Sequence, residues 1–342
     1  MKKALITGIT GQDGSYLARF LFSKRYNIIG LIRENSKSSI ENLKFIGVSD
    51  KIKFIKINLL DLSTIIKIIE ENDISEIYNF AAQSSVALSF DRPIETINFN
   101  IISTANLLEA IRITNPKIKF YQASSSEMFG NVEKQNLPID ENSVFHPISP
   151  YGISKATSHW ITVNYREAYN LFAVCGICFN HESVLRNNNF VTKKIINTAV
   201  KISMGLANEI RLGNLKIFRD WGYAPNYVEA MWLMLQQNTP EDYIISSGEA
   251  HSLEEFTKKV FKKLNLDVDK FVRIDKSLYR PIDLEINYGD NSKAKNKLKW
   301  NYNTSFDQLI NRLVDDEIKY FNWKIKYKNS NNKSINHLVI LK

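Results

Sequence analysis

Ala4-Leu5-Ile6-Thr7-Gly8-Ile9-Thr10-Gly11-Gln12-Asp13-Gly14 is the stretch on which the fold turns. Its apolar start has the length of a buried strand. Three glycines follow at spacings of three, and residues 15–24 are amphipathic at helical spacing. Glycines at a strand-to-helix turn let the backbone come close to a pyrophosphate, which then lies at the positive N-terminus of the helix. Such a turn opens a dinucleotide-binding α/β domain.

Outward from this turn the first half of the chain alternates. Strands are predicted at 3–7, 27–32, 52–57, 76–80, 117–123 and 173–179, with helices at about 15–24, 63–72, 95–113 and 151–169. Strands separated by helices make a doubly wound parallel sheet, a Rossmann fold, covered on both faces. Ligands in such sheets sit beyond the carboxyl ends of the strands. The loops that fall there are 8–14, 33–39, 81–85, 124–127 and 180–189. After residue 180 the alternation weakens, with helices expected near 191–205 and 227–237. The expected organisation is a dinucleotide-binding domain over 1–180, with returning segments from about 215–250, a smaller substrate domain over 181–323, and a polar tail over 324–342.

The 342 residues are ample for a sizeable core, and 44% hydrophobic with 24% charged residues is ordinary for a globular chain. No apolar run approaches the roughly 20 residues that span a bilayer, and the chain enters a strand at once, so the expected compartment is the cytoplasm, without a membrane partner. The net charge of +9 comes from lysines spread along the chain, with no basic cluster interleaved with aromatics, which argues against nucleic acid. A mildly basic surface suits a diphosphate-bearing substrate. Cys175 and Cys178 form a lone C-x-x-C inside a predicted buried strand, where positions three apart face opposite sides; they read as packing residues. The five histidines show no metal-ligand spacing, and no metal is expected.

Chemistry is written in two places. Tyr151 and Lys155 are four apart on one predicted helix, so they share a face. A lysine cation beside a phenol favours the phenolate, which takes a proton from a sugar hydroxyl while hydride leaves the same carbon. Ser124-Ser125-Ser126-Glu127 lies at the end of a predicted strand. It adds a hydroxyl and, two residues on, a carboxylate that simple reductases and epimerases of such sugars do not need.

With these residues in view, the chain resembles the extended short-chain dehydrogenases/reductases, and among them the GDP-mannose 4,6-dehydratase family. The resemblance runs from Lys3 to about Asn322. It is carried by residues 7–17, Asn79-Phe80-Ala81-Ala82-Gln83-Ser84, Phe179-Asn180-His181-Glu182-Ser183, and Arg219-Asp220-Trp221-Gly222 running into Tyr227-Val228-Glu229-Ala230-Met231-Trp232. It implies a closed redox cycle on a GDP-sugar: oxidation at C4, loss of water across C5 and C6, and return of hydride to C6.

The resemblance also implies roles. Tyr151 is the base for the C4 hydroxyl, Lys155 lowers its pKa, Glu127 is the C5 base and the acid for water loss, and Ser125, where the family usually has Thr, bonds the C4 oxygen. The cofactor is NADP, held by Gly8, Thr10, Gly11, Gln12, Asp13, Gly14, Arg33, Asp61, Leu62, Ala81, Ala82, Gln83, Tyr151, Lys155, His181 and Arg186. Arg33 suits a 2′-phosphate, although Glu34 follows where the family usually has a second Arg. The GDP-sugar is held by Ser84, Ser85, Asn180, Val191, Lys194, Gly213, Arg219 and Arg280. Leu185 and Asn226 depart from the family's Arg and Asp. GDP-mannose and GDP-manno-heptose both remain open as substrate, a homo-oligomer (dimer or tetramer) is expected, and the alternative activity is an NADP-dependent GDP-sugar reductase or epimerase.

Overall fold

The computed structural model describes residues 1–34, 40–280 and 282–331. The expected ligand loop at 33–39 is thus described only to Glu34, and residues 332–342 of the expected tail lie outside the described residues.

Six parallel strands come from the first half: β1 (Lys3–Thr7), β2 (Asn27–Arg33), β3 (Ile52–Ile57), β4 (Glu76–Asn79), β5 (Lys119–Ser125) and β6 (Ala173–Cys178). Helices α1 (Gln12–Ser23), α2 (Glu41–Phe45), α3 (Leu62–Asn72), α4 (Val86–Asp91), α5 (Pro93–Thr114) and α6 (Pro150–Tyr169) lie between them. The second half carries short strands, β7 (Asn180–Glu182), β8 (Ile210–Leu212), β9 (Phe218–Arg219), β10 (Trp221–Tyr223), β11 (Tyr243–Ile245), β12 (His251–Ser252), β13 (Val272–Ile274) and β14 (Ile286–Asn287). Its helices are α7 (Val191–Ser203), α8 (Ala224–Leu235), α9 (Leu253–Lys263), α10 (Val268–Phe271) and α11 (Phe306–Asn331). The main sheet has seven strands in the order β11-β6-β5-β4-β1-β2-β3. Because β1 lies between β2 and β4, the connections wind away from it in both directions, and the crevice at its carboxyl end is the place where such sheets take ligands.

Strand alternation divides the core. Ala4 and Ile6 face one side, where they join Leu17 and Leu21 of α1 and Val228 and Met231 of α8. Leu5 faces the other, with Ile65 and Ile68 of α3 and Leu107, Leu108 and Ile111 of α5. Both faces of β1 are therefore apolar, which accounts for its unbroken hydrophobic run. A separate core is built by α7, α9 and α11 around Ile195, Phe256, Phe261, Leu309 and Leu313.

The tail boundary needs correction: residues 324–331 continue α11. An aromatic ladder extends the helix, Tyr320 stacking on Trp323 at 5.8 Å and Trp323 on Tyr327 at 5.0 Å, and Phe45 of α2 packs edge-on against Tyr320 and Trp323. Among the described residues no helix is long and apolar enough to cross a membrane.

Candidate active site

The glycine turn forms as a close contact between backbones. Gly8 has φ +62°, and a Cβ on Gly14 would lie 2.5 Å from the Gly8 carbonyl oxygen, so larger residues would force the turn open. Gly11 precedes α1 and offers no side-chain cap, leaving the first amides of the helix to a ligand. Thr7 ends β1 and its hydroxyl accepts from the Phe80 and Ala81 amides, both at 3.0 Å, which fixes the loop carrying Ala81 and Ala82 beside the turn. These residues fit a dinucleotide.

Helix α6 brings the catalytic candidates to the end of β5. Ser149 caps it by accepting from the Gly152 amide at 3.0 Å, and Pro150 occupies its first turn. It then runs so close to the turn after β5 that a Cβ on Gly152 would lie 2.7 Å from the Glu127 carbonyl oxygen. Tyr151 is thereby set beside Ser125 and Glu127. Lys155 is buried, lies 5.8 Å from the Tyr151 ring centroid, and donates to the Ala123 carbonyl at 2.8 Å.

Burial works against a phenolate at this position. Burial pushes the Tyr151 phenol up to about 12; the Ser125 hydrogen bond opposes this, Glu127 adds to it, and Arg186 opposes it. The Lys155 ammonium donates to a carbonyl and is itself pulled down to about 8 by burial, with the Asp13 carboxylate opposing. The phenol is therefore neutral at pH 7. Burial also raises the half-buried Glu127 carboxyl, with Arg219 and Arg280 holding it back and Asp283 reinforcing the rise.

Arg219 and Arg280 are thus gathered around Glu127. Arg219 is almost fully buried and donates to Asp283 Oδ1 and the Leu284 carbonyl, both at 2.8 Å; Arg280 reaches the same Asp283 oxygen at 3.4 Å. Asp220, next in the chain, is buried and accepts from the Ser247 hydroxyl and from the Ser247, Gly248 and Gly289 amides. Burial still pushes it up to about 6. Lys194 and Gly213 form another group where α7 meets β8: Lys194 donates to the Arg211 carbonyl at 2.7 Å, and a Cβ on Gly213 would lie 3.0 Å from the Leu278 carbonyl oxygen. Val191 is the first residue of α7, and Asn180 opens β7, which pairs with β10.

On the cofactor side, Arg33 ends β2 with its guanidinium 5.3 Å from the Phe99 ring centroid. Asp61 caps α3, accepting from the Ser63 amide at 3.0 Å and the Thr64 hydroxyl at 2.6 Å, so its side chain is committed to the helix that Leu62 begins. Ser85 caps α4 through the Leu88 amide, leaving Ser84 exposed before it. His181 reaches back to Asp13 at 2.9 Å. Arg186 lies 3.5 Å from Glu182 and 3.7 Å over the Phe190 ring.

Two positions escaped sequence reasoning. Asn100 accepts from the Gln83 amide at 2.8 Å and donates to Ser154 at 2.9 Å, tying the β4 loop to α6. Its signal was a polar residue on the buried side of α5. Asn287 donates to the Ser126 carbonyl at 3.3 Å, and nothing in the local sequence announces it. His159, Cys175 and Asp242 come within 4.8 Å of one another, a spacing a metal would accept. Arg166, however, takes both Asp242 oxygens at 2.8 Å, and burial drives the Cys175 thiol up, so the trio forms a packing network.

The sequence model of the GDP-mannose 4,6 dehydratase family matches residues 5–313. The chain is 44% identical to GDP-mannose 4,6 dehydratase 2 of Arabidopsis thaliana, over 93% of this chain and 87% of the plant protein. The chain belongs to the GDP-mannose 4,6-dehydratase family. The human member is 42% identical over 92% of this chain and 91% of its own, and the Yersinia enterocolitica member 39% over 93% and 94%. Among solved structures, dTDP-glucose 4,6-dehydratase from Bacillus anthracis in complex with NAD superposes with a TM-score of 0.82 at 23% identity, covering 94% of this chain and 98% of its own. That likeness establishes the same fold.

Proposed function

We propose that this family member converts GDP-mannose to its 4-keto-6-deoxy product, a hydro-lyase reaction, with NADP regenerated in each cycle. The observation that carries the reading is the convergence of Glu127, Tyr151 and Ser125 at the end of β5, with Arg219 and Arg280 beside the carboxylate.

A dinucleotide held by the glycine turn would supply a hydride acceptor and donor and, when oxidised, a positively charged ring. Every other step belongs to side chains. Ser125 bonds the C4 oxygen, and Tyr151 takes the hydroxyl proton as C4 loses hydride. The new ketone acidifies C5, and Glu127 removes that proton. Protonated Glu127 then gives a proton to the C6 hydroxyl, which leaves as water. C5 then takes a proton from solvent as C6 regains hydride, and Tyr151 releases to solvent the proton it took from the C4 hydroxyl, which closes the cycle. A raised carboxyl pKa suits a group that must act both as base and as acid near neutrality. The buried phenol loses its proton only when positive charge gathers around it, from Lys155 and the oxidised cofactor, which confines the base to the loaded site.

Arg33 at the end of β2 supports NADP over NAD, because its fork suits a 2′-phosphate. Arg219 and Arg280 support a diphosphate. A reductase or epimerase has no use for Glu127. The outer sides of α5 and α6 expose Ile94, Ile102, Ile113, Ile153 and Trp160, which supports assembly into a homo-oligomer through these helices. The deciding assay incubates the protein with GDP-mannose and NADP and follows the alkali-induced enol absorbance near 320 nm. Turnover without net change in NADPH is expected. Stoichiometric NADPH consumption or an epimerised hexose would overturn the reading.

A further inference from the structure

A carboxylate stands inside the phosphate-binding turn. Asp13 is in the first turn of α1, where a negative side chain suits the helix but repels the pyrophosphate such a turn takes. The answer to that charge comes from the other half of the chain. His181 Nε2 lies 2.9 Å from Asp13 Oδ2, and His181 Nδ1 lies 2.7 Å from the Phe179 carbonyl oxygen. A carboxylate and a carbonyl only accept, so a ring that bonds both must donate from both nitrogens, and only the imidazolium does so. The ring is buried and stacks on Tyr227 at 4.8 Å and 21°. Gln12 completes the seam, donating to Asp13 at 3.1 Å and to the His181 carbonyl at 3.0 Å while accepting from Ser183 at 2.8 Å.

We propose that His181 is a buried imidazolium whose charge cancels that of Asp13, clasping the phosphate-binding turn to β7 and sustaining dinucleotide affinity. His181 is a positioning residue here, acting through Asp13. The proposal rests on the reading that this turn holds the dinucleotide.

The charges that face the ring agree with the geometry. Burial disfavours the cation, but the Asp13 carboxylate outweighs it and holds His181 above its ordinary value; Arg186 from the following loop opposes, and Tyr227 of α8 offers a neutral ring face. Asp13, despite burial, is held down to about 2 by His181, then Arg186 and Gln12. A histidine raised on folding keeps its contribution at low pH and loses it as pH climbs through the raised value. The clasp is therefore at full strength below the ordinary histidine value and weakens as pH climbs through the raised one.

The test combines two measurements. Long-range ¹H–¹⁵N NMR of the full-length protein without cofactor should show both His181 nitrogens protonated at pH 7; a neutral tautomer would overturn the proposal. NADPH affinity, read from its fluorescence, should fall ten- to a hundred-fold in His181→Gln, because Asp13 is left uncompensated. The double variant, Asp13→Asn with His181→Gln, removes both charges and should recover most of that loss. A double variant no tighter than His181→Gln, or a His181→Gln variant as tight as the parent, would overturn the proposal. An unmutated protein that binds no NADPH would overturn the dinucleotide reading and the affinity claim with it, while the NMR pattern decides the imidazolium separately.

Discussion

Glu127 is the residue by which the proposed dehydration differs from simpler redox chemistry. Its carboxyl is raised by burial, with Arg219 and Arg280 opposing the rise, and such a shift suits a group that must both take and give a proton. Glu127→Gln should leave oxidation at C4 possible but stop loss of the C5 proton. Enzyme-bound NADPH should then accumulate at 340 nm while solvent deuterium fails to enter C5; release of 6-deoxy product at the parental rate would remove Glu127 from the mechanism. Tyr151→Phe should keep the fold and lose turnover by ~10²–10⁴-fold, the usual cost of removing an acid–base group. Activity within threefold of the parent would show that another group takes the hydroxyl proton. These residues were legible in the sequence because chemistry and spacing coincide, as with Tyr151 and Lys155 one helical turn apart. Their protonation was not legible. The neutral phenol follows from burial, and the Asp13–His181 contact joins residues 168 positions apart, which no local pattern records.

At the scale of elements, the alternation of the first half was readable because both faces of every central strand are buried and each strand is a short apolar run. Strand β11 has three residues, too few for any periodicity, yet it completes the sheet beside β6. The end of α11 was hidden for a related reason: its polar composition suggests a tail, while its cohesion lies in Tyr320, Trp323 and Tyr327 spaced along one side. That helix is also held by a buried ion pair. Lys193 of α7 bonds Glu317 of α11 and the Val184 carbonyl, and Asn197 donates to Glu317 at 2.7 Å. Both charged side chains are nearly inaccessible. Removing one partner of such a pair leaves the other buried and uncompensated, which costs about 3–5 kcal/mol. Glu317→Leu should therefore lower unfolding free energy by about that amount, measured by urea denaturation, whereas replacing both residues, Lys193→Met with Glu317→Leu, should recover most of it. A single variant as stable as the parent would show that water reaches Lys193.

For the whole molecule, the site exists only because two kinds of structure meet. The end of β5, the turn after it and helix α6 supply Ser125, Glu127, Tyr151 and Lys155, and the second half supplies Arg219, Arg280 and His181. The same sheet underlies a UDP-glucose 4-epimerase from Thermotoga maritima, which superposes with a TM-score of 0.83 at 23% identity, so the fold alone does not choose the nucleotide or the sugar. The choice falls to the second half and to small differences near the sugar. Arg219 is pinned by Asp283 and the Leu284 carbonyl and followed by the anchored Asp220, and the chain is 42–44% identical to GDP-mannose dehydratases; on the proposed function Arg219 meets the diphosphate and GDP should be the nucleotide. Ser125 lacks the methyl of the family's Thr, which motivates a comparison with a larger sugar. One methyl in a pocket is worth ~1–3 kcal/mol, or roughly ten- to two-hundred-fold. Values of kcat/KM for GDP-mannose, GDP-manno-heptose and dTDP-glucose measured side by side should rank both GDP-sugars above dTDP-glucose, with Ser125→Thr lowering the heptose value more than the mannose value. Preference for dTDP-glucose would overturn the role of Arg219 and Arg280, and an equal response of both GDP-sugars to Ser125→Thr would show that position 125 does not set the size of the sugar.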